Sequence, residues 1–144
     1  MINADGIRES ELIKALSAIE VITIFAEDLQ ATKAFYTTVF GLPLVYEDKH
    51  CAVFQFDNLM LNVLVASEAP KLVEPDSVGA PGAGVRYMPT IRVDDADETC
   101  AELVRHGVEL LNGPIDRPWG RRTAAFRDPA GTVWEIAQIL PPAE

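Results

Sequence analysis

One supersecondary pattern occurs twice in this chain, and the repeat limits the possible folds more than any other feature. Asp28 and Asp95 each follow an apolar run and open a segment with helical spacing, and they lie 67 residues apart. Gly41 and Gly107, which close the two helical segments, lie 66 residues apart. Because such a repeat marks a repeated structural unit, the sequence predicts two modules of the same topology.

The first module is predicted to run strand, helix and three strands. Residues 19–25 favour a strand because they are β-branched and apolar, and Asp28 suits a helix N-cap. The apolar stripe expected on the buried side of the helix consists of Ala31, Phe35, Tyr36 and Val39. Three short strands are then predicted at 43–48, 51–56 and 59–66.

The second module repeats this order. Residues 87–93 favour a strand, and Pro89, which lacks an N–H, places that strand at an edge or a junction. Asp95 and Glu98 have the spacing of a capping box. The apolar stripe of the helix consists of Ala96, Cys100, Leu103 and Val104. Its three further strands are predicted at 108–112, 121–127 and 132–139.

These elements divide the chain into four parts. Residues 1–18 form an N-terminal extension, in which Leu12, Ile13 and Leu16 have the spacing of a short helix. The modules span 19–68 and 85–140 and together make one domain, and the segment 69–84 is rich in Pro and Gly and reads as a linker.

Each module has one helix to cover one face of its sheet, so the opposite face is left open. Because successive strand residues point to opposite faces, a count in steps of two assigns residues to that face. The open face is predicted to mix apolar residues with a few polar ones, namely Thr23, Asn62, Thr90, Arg92 and Glu135. This composition is typical of a small-molecule pocket.

Four stretches carry a resemblance to a known family: AEDLQATKAFYTTVFGLPL, VDDADETCAELVRHGVEL, RPWGRR and DPAGTVWEI. In this order and spacing, over residues 19–139, the sequence resembles the vicinal oxygen chelate superfamily. That superfamily includes glyoxalase I, extradiol dioxygenases, and bleomycin- and fosfomycin-resistance proteins. The resemblance implies an α+β fold of two tandem βαβββ modules, which form an open, cupped mixed β-sheet with the helices outside and are usually completed in a homodimer.

The resemblance also locates the positions at which metal-dependent members bind a divalent metal. These members use His, Gln or Glu on the first and last strand of each module, and the matching positions are Val21, Asn62, Met88 and Glu135. Only Glu135 carries a metal-competent carboxylate, whereas a divalent site needs several N or O ligands. The two histidines fall elsewhere, His50 in a turn and His106 at a helix end. No cofactor is therefore predicted, and a divalent metal is disfavoured.

Net charge and composition exclude some partners. The net charge is −10, with 12 basic and 22 acidic residues, which argues against nucleic acid and against anionic membranes. No signal peptide or membrane-spanning run is visible, and the two cysteines, Cys51 and Cys100, lack a CxxC spacing. We expect a cytoplasmic protein with reduced thiols.

Glu135 is the best candidate for a catalytic residue, although two roles remain open for it. It either pairs with an arginine such as Arg92 or contacts a ligand, and Arg92 in turn either pairs with Glu135 or binds an anionic ligand group. Trp119 beside Arg122 could form a stacking platform or could lie at the edge of the sheet. The predicted ligand contacts are Asn62, Thr90, Arg92, Trp119, Arg122 and Glu135.

Three functions follow from this sequence. The first is a small-molecule-binding protein without a complete metal site that sequesters an organic ligand in its cup. The second is a lyase, isomerase or dioxygenase that uses a divalent metal. The third is a metal-free enzyme in which Glu135 is an acid or a base. Whether the chain is an enzyme stays open at the level of sequence.

Overall fold

The computed structural model of the chain describes residues 4, 6, 8 and 13–142. It contains two four-stranded sheets with a ten-residue helix on each, which confirms the prediction of two βαβββ modules. The sheets are separate and open, because β-ladders join strands only within a module. In the described part, no helix is long and apolar enough to cross a bilayer.

The first module forms a sheet with the strand order β1-β4-β3-β2, in which β1 runs parallel to β4 and the other pairs are antiparallel. Its elements are β1 (Val21–Ala26), α1 (Leu29–Thr38), β2 (Leu44–Glu47), β3 (Cys51–Gln55) and β4 (Met60–Val65). The Asp28 side chain accepts a hydrogen bond from the Ala31 N–H at 3.0 Å, so the predicted N-cap is confirmed.

The second module has the equivalent strand order β5-β8-β7-β6, again with a parallel first pair. After the short helix α2 (Pro70–Val73), its elements are β5 (Thr90–Arg92), α3 (Ala96–Arg105), β6 (Leu110–Arg117), β7 (Arg121–Arg127) and β8 (Val133–Ile139). Asp95 accepts from the Glu98 N–H at 3.0 Å. Gly107 ends α3 with a φ of +79°, as predicted.

Several predicted boundaries were wrong, each for a local physical reason. The strand predicted at 87–93 is only three residues long, because Pro89 has no N–H to give to a ladder. The strand predicted at 108–112 extends to Arg117, because its pairing with β7 resumes beyond a bulge near Gly113. The segment 69–84 is not wholly a linker, since Pro70 occupies the first turn of α2.

Two residues assigned to the buried helix stripes are exposed. Ala31 faces solvent on α1, where Leu29 and Thr32 are buried instead, and the side chain of Val104 on α3 is 58% exposed. The N-terminal helix predicted around Leu12 falls partly outside the described residues, and a single 3-10 turn spans Lys14–Leu16.

The helix-side faces of both sheets pack into one core. Phe35 and Phe40 contact the Phe126 ring of the second module, with centroids 6.4 and 6.0 Å apart. The buried cluster takes residues from both modules: Ile24, Ala26, Leu29, Tyr36, Ala52, Phe54, Leu61, Val63, Cys100, Leu103, Val108, Ala124, Phe126, Trp134 and Ile136. The core role predicted for Tyr36 is therefore confirmed, and Trp134 belongs to the same cluster.

A buried polar chain joins the modules inside this core. The Tyr36 hydroxyl donates to Asp128 Oδ2 at 2.5 Å, and Trp134 Nε1 donates to the Tyr36 hydroxyl at 2.8 Å. Burial raises the pKa of Tyr36 and also that of Asp128, because it penalises the charged form. The Thr132 N–H donates to Asp128 Oδ1 at 2.8 Å, so the turn before β8 is tied to the same carboxyl.

Candidate ligand-binding site

Each sheet has a face that its helix does not cover, and the two faces carry equivalent polar pairs. The first open face consists of residues of β1, β3 and β4: Val21, Thr23, Phe25, Cys51, Val53, Gln55, Met60, Asn62 and Leu64. The second open face consists of residues of β5 to β8: Thr90, Arg92, Asn112, Ile115, Arg117, Arg121, Thr123, Ala125, Arg127, Val133, Glu135, Ala137 and Ile139. Thr23 lies opposite Asn62, and Thr90 lies opposite Glu135.

The two pairs differ in strength. Thr90 Oγ1 donates to Glu135 Oε1 at 2.9 Å, a hydrogen bond in the usual range. Asn62 Nδ2 lies 3.4 Å from Thr23 Oγ1, which is a long contact. Thr90 and Glu135 were both predicted as ligand contacts, and the structure brings them together on one face.

Asn62 has an unused acceptor. Its Oδ1 atom is buried and has no hydrogen-bond partner among the described residues. Rotating the amide by 180° would exchange its two ends and would leave Nδ2 unpaired instead. Because buried polar atoms in folded proteins are nearly always hydrogen-bonded, this amide is suited to accept a group from outside the chain.

Of the four positions matched to metal ligands, only one carries a charged side chain. Val21 and Met88 supply no oxygen or nitrogen, and Met88 lies before β5 with its side chain 44% exposed. Asn62 points its amide nitrogen at Thr23, so only Glu135 offers a charged donor. In the part of the chain that the structure describes, no group of three or more His, Cys, Asp or Glu could hold a metal ion.

The histidines lie away from these positions. His50 Nε2 is 3.0 Å from Glu68 Oε1, and His106 follows the last turn of α3. Neither residue belongs to an open face.

Arg92 makes no ion pair with Glu135. It lies on the second open face opposite Ala137, one row from the Thr90–Glu135 pair, and its side chain is exposed. Salt bridges within 4.0 Å are found for other arginines, and none within the described ranges involves Arg92. Of the two roles considered for Arg92, the ion pair with Glu135 is thus not formed.

Arg122 and Trp119 lie apart from the polar pairs. Arg122 faces the helix side of its sheet, where it meets Asp97 of α3 and Asp116 of β6, both at 2.9 Å. The hydrogen bonds that the Arg122 guanidinium donates to Asp116 and Asp97 raise its pKa. Trp119 lies in the turn between β6 and β7 with its side chain 65% exposed. The structure does not bring either residue together with Glu135.

Sequence analysis missed three arginines of the second open face: Arg117, Arg121 and Arg127. Arg117 Nε donates to Thr123 Oγ1 at 2.9 Å, and Arg117 Nη2 donates to Asn112 Oδ1 at 3.3 Å. Arg121, which is half-buried, lies opposite Arg117 in the β6–β7 ladder. The alternation of side chains along β7 could have revealed Arg121. Phe126 and Ala124 point to the core, so Arg122 lies on their side of the strand and Arg121 lies on the opposite, open side.

Two cavities lie where the sheets approach each other. One of about 450 Å³ is bounded by Thr23 and Phe25 of β1, by the segment 79–87 and by the turn at 130–133. A second of about 400 Å³ is bounded by Ile22, by the turn at 56–59 and by Thr90, Arg92 and Trp134. Both are within the size range of small-molecule pockets.

A sequence model of the Glyoxalase/Bleomycin resistance protein/Dioxygenase superfamily matches residues 18–136. The chain belongs to this superfamily. It is 28% identical over 123 residues to the uncharacterized protein YraH of Bacillus subtilis (strain 168), which covers 83% of this chain and 96% of that protein.

Solved structures of the same superfamily share the fold. A glyoxalase/bleomycin resistance protein/dioxygenase from Nocardioides superimposes with a TM-score of 0.80 at 23% identity, covering 94% of this chain and 91% of that one. TnmS3, an antibiotic binding protein from Streptomyces sp. CB03234, superimposes with a TM-score of 0.66 at 26% identity, covering 88% and 99%. The superfamily thus includes a small-molecule-binding protein.

Proposed function

We propose that this superfamily member binds a small organic molecule at its open sheet faces and sequesters it, without using a metal. Similarity to an antibiotic binding protein, TnmS3, supports binding as the function. The positions matched to metal ligands support it further, because only one of them carries a charged donor.

The observation that carries this proposal is the buried, unpartnered Oδ1 atom of Asn62. An unpaired buried acceptor costs free energy that a ligand N–H or O–H would recover on binding. Asn62 contacts Thr23, and Thr23 bounds the larger cavity, so a ligand in that cavity is next to the amide. The Thr90 and Arg92 side chains at the other cavity provide further polar contacts.

A thermal-shift screen tests the proposal. We expect at least one member of a broad panel of natural products, including bleomycin-type glycopeptides, to raise the unfolding temperature, because a ligand that binds only the folded state stabilises it. For such a ligand, Asn62→Leu should weaken affinity by roughly tenfold, which corresponds to one hydrogen bond of about 1.4 kcal/mol. Gln30→Leu removes an exposed amide from α1 and is the matched control. A panel without any shift at saturating concentration would contradict sequestration.

A metal-dependent reaction is the rival function, and elemental analysis separates the two. After exposure to Zn, Ni, Mn and Fe in turn, we expect less than one metal ion per chain. Stoichiometric metal that is lost in Glu135→Gln would overturn the metal-free proposal.

Acid–base catalysis without a metal is a third possibility that one contact favours. Thr90 orients Glu135 by bonding only its Oε1 atom, so Oε2 can exchange a proton with a substrate. In that case Glu135→Gln would abolish turnover of a bound compound and preserve its binding. Loss of binding instead would assign Glu135 to recognition.

We infer that the protein acts as a homodimer, because the helix of each module packs on one face of its sheet and leaves the other face without a helix. Tyr46 and Val45 on the edge strand β2 are also exposed, by 55% and 52%. Sedimentation at micromolar concentration should give twice the mass of the chain, and a monomer would contradict this inference.

A further inference from the structure

Two sets of arginines in this protein differ in their partners. Arg105 and Arg122, outside the open faces, lie 2.9–3.3 Å from carboxylates. The arginines of the second open face have no carboxylate oxygen within 4.0 Å in the described part of the chain: Arg92, Arg117, Arg121 and Arg127. With 22 acidic and only 12 basic residues, the chain has ample carboxylates. Four arginines of this one face nevertheless form no ion pair within the described residues.

Strand pairing places two of these arginines on either side of a small residue. Arg92 lies opposite Ala137, and Ala137 lies opposite Thr123. The Arg117 guanidinium is held over Thr123, because its Nε donates to Thr123 Oγ1 at 2.9 Å. Arg92 and Thr123 are two strand spacings apart, about 10 Å. Ala137, which lies between them in the ladder and is 6% exposed, has only a methyl group as its side chain. A small group that binds over Ala137 would therefore lie between the two arginines.

The Arg117 side chain is oriented before any ligand arrives. Its two hydrogen-bond partners, Thr123 Oγ1 and Asn112 Oδ1, are neutral, so they fix the guanidinium without cancelling its charge. A guanidinium that is already ordered loses less side-chain entropy when it binds an anion. The planar arrangement of its donors matches a carboxylate, sulfonate or phosphate group.

Apolar side chains lie next to these charges. Ile115 is the neighbour of Thr123 on β6, Ile139 is the neighbour of Arg121, and their side chains are 46% and 42% exposed. A ligand for this face therefore needs an anionic group and an apolar body on the same molecule. The only carboxylate among the described residues of this face is Glu135, one row away, where Thr90 engages it.

We propose that the second open face contains an anion subsite above Ala137, between Arg92 and Arg117, that binds the acidic group of an amphiphilic small molecule. This inference rests on the proposed binding function and adds the chemical class of the ligand. The net charge of −10 does not decide the class, because the charges around the ligand are those of the face and not of the whole surface.

Two fluorescent dyes with the same ring system test this subsite. 8-Anilinonaphthalene-1-sulfonate carries a sulfonate, and N-phenyl-1-naphthylamine lacks it. We expect the folded protein to bind the sulfonate at least about tenfold more tightly, as charge-assisted hydrogen bonds to arginine provide. Arg92→Gln and Arg117→Gln should each weaken sulfonate binding several-fold and leave binding of the neutral dye unchanged.

Three further measurements test whether the sulfonate binds at this subsite. Arg105→Gln removes the same charge from α3 and should leave both affinities as in the wild type. Glu135→Gln should tighten sulfonate binding, because it removes the carboxylate nearest to the subsite. Far-ultraviolet circular dichroism and unfolding temperature establish that each variant is folded, which matters because the sulfonate dye also binds partly unfolded chains.

The outcomes separate this inference from the proposed function. Equal affinity for both dyes, or sulfonate binding that survives both arginine substitutions, would overturn the anion subsite and leave small-molecule binding intact. Failure of both dyes to bind would contradict the subsite and the proposed function together, since a ligand face of this kind must admit an amphiphilic ring system.

Discussion

The two open faces of this protein are built on the same strand order but differ in charge. The first open face presents Thr23 and Asn62 among apolar side chains, and its described positions carry no charged residue. The second presents four arginines together with Glu135: Arg92, Arg117, Arg121 and Arg127. On the helix side the two sheets instead pack into a common core. The comparison indicates that the repeat determines the backbone, whereas the residues free of the core determine the charge of each open face.

The pairs Thr23–Asn62 and Thr90–Glu135 make this difference concrete. In both modules a threonine on the first strand lies opposite a polar residue on the last strand. In the first module that residue is a neutral amide with an unused acceptor, and in the second it is a carboxylate with a good hydrogen bond. A ligand spanning both faces would meet a neutral end and a charged end, which gives it a defined orientation.

The largest expected effect concerns the contact that joins the two regions. Asp128→Ala should lower the free energy of unfolding by about 4 kcal/mol, because it leaves the buried Tyr36 hydroxyl and the Thr132 N–H without their acceptor. Urea unfolding followed by tryptophan fluorescence measures it. If the modules were independent, the loss would be small and one module would unfold before the other.

Asp128→Asn is the matched variant for the pH dependence of this contact. Burial raises the pKa of Asp128 above its ordinary value of 3.8, so the folded state holds this proton more tightly than the unfolded chain does. The contribution of Asp128 to stability therefore falls as pH rises above 3.8. Relative to Asp128→Asn, the wild type should lose stability as the pH rises above 3.8. A difference that stays constant or grows would contradict the sign.

The repeat, the order of the elements and most of the core were predictable from sequence. They follow from local signals that act along the chain: Asp28 and Asp95 cap their helices, Gly107 ends one, and helical spacing assigned Tyr36 and Leu103 to the core. Such signals need no information about partners distant in sequence.

The arginine pattern was not predictable in the same way. Arg117 joins the second open face only because β6 continues through a bulge at Gly113, and a count in steps of two fails across a bulge. Arg122 was predicted as a ligand contact, but Asp97 and Asp116 hold it on the helix side, and those contacts depend on how α3 packs. The unpaired Oδ1 atom of Asn62 could also be found only from the structure, because whether a side-chain atom has a hydrogen-bond partner depends on all its neighbours.

Gly113 in the outer strand β6 offers a second test, with Gly41, which follows α1 in the first module, as its reference. Gly113→Ala should cost about 3 kcal/mol, because a Cβ at Gly113 would lie 2.3 Å from the backbone oxygen of Thr123 and the φ of +82° adds strain. Gly41→Ala in the first module should cost only about 1 kcal/mol, since its φ is +65° but nothing lies within 4 Å. Urea unfolding of both variants measures the difference, and equal losses would show that the bulge in β6 tolerates a side chain.

The smallest expected effect is the difference in stabilisation between the two polar pairs. Thr90→Val should lower the free energy of unfolding by about 1 kcal/mol, because the half-buried Glu135 carboxylate loses a 2.9 Å hydrogen bond. Thr23→Val should cost about 0.3 kcal/mol or less, because the 3.4 Å contact with Asn62 is already weak. The two substitutions are chemically identical and fall at equivalent positions of the repeat, so each controls for the other. Equal losses in urea unfolding would mean that the Thr90–Glu135 hydrogen bond stabilises the fold no more than the Thr23–Asn62 contact does. The two open faces would then differ only through their arginines.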